Sequence, residues 1–125
     1  MADGLTVQFR KAIRTKIASY TPSVYYRRAV NAPSIYAIYD IDSVARDEEA
    51  VEQWQLAVSL FASGDNTEAL DNLADEIWEG LNHWFYSDQN GLYFNTYQSV
   101  RTTITDEENG NHTRRRLVFT IHLFS

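Results

Sequence analysis

The sequence predicts an α+β fold. It is a two-layer sandwich in which a mainly antiparallel sheet of about five strands carries two helices on one face, in the order α-β-β-β-α-β-β. Three observations lead there. Trp54, Leu56, Val58 and Leu60 alternate with Gln53, Gln55, Ala57 and Ser59, the period-two pattern of a half-buried strand over 53–61. After Gly64-Asp65 the period changes. Ala69, Leu70, Leu73, Ala74, Ile77, Leu81, Trp84 and Phe85 fall at helical spacing and make one wide apolar face, on a helix from Asn66 to about Phe85. Such a helix of about 20 residues is roughly 30 Å long. Near the end, Leu117, Phe119, Ile121 and Leu123 alternate again and face inward on a strand from Thr113 to Phe124. Short loops between neighbouring strands favour antiparallel pairing. The 125 residues suit one domain, 1–125.

The other elements follow in chain order. Leu5, Phe9, Ala12, Ile13, Ile17 and Tyr20 recur every three or four residues and mark a first helix. Arg10, Lys11, Arg14 and Lys16 lie mostly on its solvated side, with an anionic contact patch as the alternative reading. Thr21-Pro22 ends it, because a residue before proline avoids the helical region. Val24–Ala29 reads as a short strand and Ser34–Ile41 as a second, with Ile35, Ala37, Tyr39 and Ile41 on one face. The acidic stretch 42–50 reads as a loop. Asp65 or Asn66 caps the main helix, and Asn90-Gly91 suits a left-handed terminator after it. Gly80 interrupts that helix at a cost of about 1 kcal/mol against Ala. It permits close packing by the first helix, the default, or by another subunit. Leu92–Phe94 reads as a small extra strand or a lead-in, and Tyr97–Thr105 as a strand. Asp106–His112 reads as a charged hairpin loop with an Asn-Gly turn.

Composition narrows the function classes. The net charge is −6, from 17 acidic and 11 basic residues, which argues against a general nucleic-acid binder. With no cysteine there is neither a disulfide nor a thiolate ligand, which fits a reducing compartment. No signal peptide or membrane-length apolar run is visible, so no membrane partner is expected. Eight Tyr, six Phe and three Trp leave two readings open, a core rich in aromatics or an aromatic interface, since Tyr is enriched at interface centres.

No group of residues has the spacing of a reacting centre. His83, His112 and His122 lack metal-type partners nearby and read as structural or surface residues. Asp40 and Asp42 share a strand face, with Asp47, Glu48 and Glu49 following. Close carboxylates can bind a divalent cation or act as an acid–base pair, but EF-hand spacing is absent. No nucleophile motif or phosphate-binding glycine loop occurs. No catalytic, cofactor or metal residue is therefore assigned. Arg114-Arg115-Arg116 opens the last strand opposite Asp106-Glu107-Glu108. Two readings are open: cross-strand charge pairing, or a hairpin that engages a partner.

The layout resembles the small tail-terminator or tail-completion proteins of long-tailed bacteriophages, also called tail-to-head joining or minor tail proteins. The resemblance covers nearly the whole chain. It rests on the helix Leu5–Tyr20, the strands around Val24-Tyr-Tyr26 and Ile35-Tyr-Ala-Ile-Tyr39, the strand Gln53–Phe61 running into Thr67–Leu73, and the end Leu117-Val-Phe-Thr-Ile-His-Leu-Phe124. It implies a virion protein, assembled in the host cytoplasm and located at the head–tail junction. It would form a hexameric ring that caps the tail tube, stops its polymerisation and joins tail to head. The implied partners are further copies of itself, the tail tube protein and a head-side connector, with DNA passing through the lumen without specific binding.

A ring needs two different patches on each subunit. The candidate interface residues are Arg27, Arg28, Tyr36, Asp40, Asp42, Asp47, Glu48, Glu49, Trp84, Tyr86, Tyr93, Asp106, Glu107, Glu108, Arg114, Arg115 and Arg116. An acidic 40–49 region facing Arg27/Arg28 or Arg114–Arg116 of a neighbour would set register. The competing roles are a head–tail connector, neck or minor capsid protein, a monomeric adaptor, or a small metal-dependent enzyme or ligand-binding domain.

Overall fold

The computed structural model describes residues 5–29, 34–46, 51–63, 67–89, 91–106 and 112–124. Its elements are α1 (Leu5–Ala18), β1 (Val24–Tyr26), β2 (Ile35–Arg46), β3 (Val51–Ser63), α2 (Thr67–Gly80), β4 (Trp84–Ser87), β5 (Tyr93–Asp106) and β6 (His112–Phe124). The strands form one sheet in the order β1-β2-β3-β6-β5-β4. β1 pairs with β2 in parallel and every other pair is antiparallel. The α+β class and the mainly antiparallel sheet match the expectation. The sheet has six strands rather than about five, and the order ends β-β-β after α2.

Alternation places the core. Ala37, Tyr39 and Ile41 of β2, Leu56, Val58 and Leu60 of β3, and Leu117, Phe119, Ile121 and Leu123 of β6 are buried on the inner face, as their spacing predicts. Phe9, Ile13 and Ile17 of α1 and Leu70, Leu73, Ala74 and Ile77 of α2 cover that face. Each such large side chain contributes about 1.5–3 kcal/mol on burial. The Phe9 ring meets Trp54 at 5.4 Å and Phe94 at 4.8 Å, so α1 joins β3 to β5. Arg10 lies over the Tyr26 ring of β1 and Lys16 over the Trp84 ring of β4, the two opposite edge strands. Six residues of helix advance only about 9 Å, whereas six flat strands span about 24 Å. Long side chains bridge part of that difference, and the sheet curls around α1.

The main helix is shorter than its apolar spacing suggests. It has 14 residues and ends at Gly80, not near Phe85. β5 closes it: Gln98 Nε2 donates to the Trp78 carbonyl at 2.9 Å, and the Thr96 hydroxyl donates to the Leu81 carbonyl. Carbonyls that a longer helix would satisfy within itself are thus bonded by a strand. Leu81–His83 turn the chain, with His83 at φ 57°, in the left-handed region. Trp84–Ser87 then form β4, with Trp84 and Tyr86 inward and Phe85 and Ser87 outward. The aromatic run Trp84-Phe85-Tyr86 therefore belongs to a strand and is divided between its two faces.

Three further boundaries move. Asn90-Gly91 does not end a helix. Gly91, at φ 84°, sits in the β4–β5 turn, where Asp88 and Leu92 bond each other. The stretch 42–50 is not all loop, because β2 continues to Arg46 by pairing with β3 as far as Arg46↔Glu52. A full ladder outweighs polar composition there. The segments near 93 and 97–105 are one strand, β5, with an irregularity between Gln98 and Val100 that carries Tyr97 and Val100 to the same face. The caps at Asp65 and Asn66 and the turn at 107–111 lie outside the described residues.

Gly80 faces Tyr20, just beyond α1, and a Cβ at Gly80 would overlap the phenol. The default reading, close approach from the first helix, holds. Gly80→Ala is expected to lower stability by about 1 kcal/mol despite its better helix propensity. In a Tyr20→Ser background the same change becomes neutral or stabilising. Urea denaturation of the four chains checks this, and a cost that persists without the ring would clear Tyr20 as its source.

Burial pushes the Tyr39 phenol above its ordinary pKa, opposed by Arg10 and Arg14. Its hydroxyl donates to the Arg10 carbonyl at 3.3 Å. The folded chain keeps the phenol neutral to higher pH than the unfolded chain does. This contribution is therefore whole below the unfolded value near 10 and is lost as pH rises through the folded value. Melting temperatures between pH 9 and 11 are expected to fall less steeply for Tyr39→Phe than for the natural chain.

Candidate interaction surfaces

Both helices lie on the inner face, so the outer face of the sheet carries no second layer among the described residues. Its first half is built by cross-strand neighbours. The register sets Tyr36 of β2 opposite Phe61 of β3, and Phe61 opposite Arg114 of β6. Tyr25 meets Tyr36 at 6.1 Å, Tyr36 stacks on Phe61 at 5.0 Å, and the Arg114 guanidinium lies 5.5 Å from the Phe61 ring. Pairs of this kind contribute about 0.2–1 kcal/mol each and hold the row rigid.

Beside this row is a pocket of about 310 Å³ whose lining includes Arg27, Asp40, Ala57, Ser59, Arg114 and Arg116. Three guanidinium groups face one carboxylate. Arg27 Nε donates to Asp40 at 2.8 Å, and Arg27 Nη2 is 3.9 Å from Asp42. The Asp40 hydrogen bond raises the Arg27 pKa further. Arg27 sits at φ 64°, a left-handed conformation that is costly for a side chain with a Cβ. Arg114 Nη2 is 3.3 Å from the Ser59 hydroxyl, while its Nε is buried and meets no acceptor among the described residues.

The arginine run divides between the two faces. Arg115 turns inward, with 10 % of its side chain exposed, and its Nε donates to Asp71 of α2 at 2.7 Å. Arg114 and Arg116 point outward. The reading of all three opposite Asp106–Glu108 is corrected by register: Arg114 faces Ile104, Arg115 faces Thr103, and Arg116 faces Thr102. Glu107 and Glu108, like Asp47, Glu48 and Glu49, lie outside the described residues, and only the backbone of Asp106 is described. Asp40 pairs with Arg27 of its own chain, and Asp42 lies 3.9 Å from it with a largely exposed side chain. Arg28 is exposed next to it.

The aromatic candidates also separate. Trp84 and Tyr86 turn inward, packing on Phe94 at 5.2 and 5.0 Å. With Lys11, Thr15, Lys16 and Asp88 they line a groove of about 540 Å³ between α1 and the edge strand β4. Desolvation, and then Asp88 beside it, raises the Tyr86 pKa. Tyr93 is on the outer face with Phe85 and Val100, the three large hydrophobic side chains that stay exposed among the described residues. Tyr93 rests on Phe124 at 5.1 Å, and Tyr97 lies between His83 and His122. No group of three or more potential metal ligands occurs among the described residues.

Sequence reasoning missed Ser59 and Phe61 as surface residues. They share the polar phase of the β3 alternation, which was visible. The run Trp84-Phe85-Tyr86 drew attention as a candidate interface, but as the end of a helix, and only Phe85 of the three is exposed.

Arg115 is nearly buried, so its two partners are not equivalent. Asp71→Ala leaves a buried cation without its carboxylate and is expected to cost about 1–3 kcal/mol. Arg115→Met removes charge and need together and is expected to cost under about 1 kcal/mol. Chemical denaturation that reversed this order would contradict the assignment of Arg115 to the core side.

Solved structures share the fold, and two of them are informative. One chain, whose name states no role, matches over 100% of this chain and 97% of its own, with a TM-score of 0.70 and 15% identity. The other belongs to the virion of a native gene transfer agent particle. It matches over 87% of this chain and 84% of its own, with a TM-score of 0.64 and 13% identity. No family model and no curated protein matches the sequence. At these identities the likeness is one of fold.

Proposed function

We propose that the chain is a non-enzymatic structural subunit of a phage-like virion, and that it assembles head to tail into a ring that caps a tail tube and joins tail to head. The observation that supports this reading is the fold shared, over most of both chains, with a component of a gene transfer agent virion. A sheet that carries helices on one face only suits the role. It offers a subunit two unlike surfaces, the requirement for head-to-tail contact. An acidic subunit also suits a conduit through which DNA slides without sticking.

Mass measurement across concentrations, alone and with purified tail tubes, tests the proposal. A hexamer in solution or on tube ends is expected. A chain that stays monomeric in both settings contradicts the ring. Binding to heads but not to tubes would make it a connector instead. Because the reading contains no metal centre, Ca²⁺, Mg²⁺, Mn²⁺ and Zn²⁺ are each expected to leave the melting temperature unchanged. A specific site would raise it by linkage.

A further inference from the structure

We propose that the outer-face arginine pocket receives the glutamates at the C-terminal end of α2 from a second copy of this chain. The proposal rests on the head-to-tail assembly argued above and names the two surfaces that meet.

The pocket asks for oxyanions. Arg27, Arg114 and Arg116 outnumber Asp40, and Arg27 is already committed to that carboxylate. Arg114 is pinned by the Phe61 ring and the Ser59 hydroxyl, so it cannot swing out to water without losing both. An incoming carboxylate would meet the guanidinium groups that line the pocket in charge-assisted hydrogen bonds.

α2 supplies the complement. Its sequence carries Glu68, Asp71, Asp75, Glu76 and Glu79 and no basic residue. Two of the five are used within the chain: Asp71 by Arg115 and Asp75 by Arg101. Glu68, Glu76 and Glu79 are exposed. Their positions fall within about 80° of one another around the helix. Glu76 and Glu79 are also misplaced for the helix alone. They lie in its last turns, where the macrodipole disfavours anions, and the helix has no basic residue of its own there, Arg101 of β5 being engaged with Asp75 and Trp78. They also repel each other at i, i+3 spacing. Arginines from a neighbour would answer both defects.

The spacings agree. Side chains three apart on a helix stand about 5–6 Å apart, and side chains two apart on a strand about 7 Å apart. Glu76 and Glu79 can therefore meet Arg116 and Arg114 as a pair of pairs. The contact joins the outer sheet face of one copy to the helix layer of the next. It uses different surfaces on the two copies and so propagates around a ring.

The test uses two variants of the full chain, R114E/R116E and E76K/E79K. Sedimentation velocity is run across concentrations, with circular dichroism as the check on folding. Each variant alone is expected to need on the order of a hundred-fold higher concentration to assemble. An equimolar mixture is expected to recover assembly, since each reversed patch then meets its complement on the other chain. R114Q/R116Q, read at the same concentrations, replaces the reversed pair if that pair misfolds. Assembly of either folded variant at the natural chain's concentrations overturns the contact and leaves the ring standing. So does a mixture of folded variants that fails to recover. A natural chain that never assembles, in solution or on tubes, overturns the contact and the ring together.

Discussion

α1 must be buried against two halves of one sheet at once. Phe9 reaches Trp54 on β3 and Phe94 on β5, and Ile13 and Ile17 are fully buried beside it. The same helix lays Arg10 over one edge strand and Lys16 over the other. A curled sheet meets these demands. Curling places both helices inside the curve and leaves the convex face of the sheet to other uses. α2 then needs an abrupt end, because its continuation would run past the strand that bonds its last carbonyls. The close approach of Tyr20 to Gly80 lies at the same corner, so the two helices and β5 fix one another there.

An antiparallel sheet with one face in water normally shows polar residues on that face. This one does so only in part. The β1–β2–β3–β6 half carries a row of two tyrosines, a phenylalanine and an arginine. The β4–β5 half exposes Phe85, Tyr93 and Val100. Rigid aromatic rings interleaved with arginine are the composition of protein interfaces. The long antiparallel ladders need no outward aromatics for the core, since their inward residues already pack against the helices. The outward ones therefore support the assembly reading independently of the fold likeness.

Where burial alternates cleanly, the sequence was readable. β3 and β6 show their inner faces because every second residue is apolar, and the inward set of β2 was equally plain. Two signals misled. At 81–86 apolar residues occur at spacings that satisfy both a helix and a strand. The deciding factor, β5 bonding the helix carbonyls, is a long-range contact that local pattern does not contain. At 42–46 composition indicated a loop, but pairing with β3 is again non-local. The candidate surface was legible as residue types and not as places. Nothing local to Arg114–Arg116 says which of the three turns inward, because that depends on the phase inherited from Leu117 and Phe119.

That phase has a consequence for how folding and assembly share one short run. Arg115 is inward and neutralises an acid on α2; Arg114 and Arg116, one step either side, are outward and leave the pocket cationic. α2 mirrors the division. Asp71 and Asp75 pair with arginines of β6 and β5, and Glu68, Glu76 and Glu79 have no such partner among the described residues. Opposite charge is thus present in one chain on two surfaces that its own geometry keeps apart. A one-residue slip of β6 would exchange the roles, sending two arginines into the core and withdrawing them from the surface. The buried alternation of Leu117, Phe119, Ile121 and Leu123 forbids that slip. The core therefore specifies the outer charge pattern as firmly as it specifies the fold, and the proposed contact between copies inherits its register from hydrophobic burial in each of them.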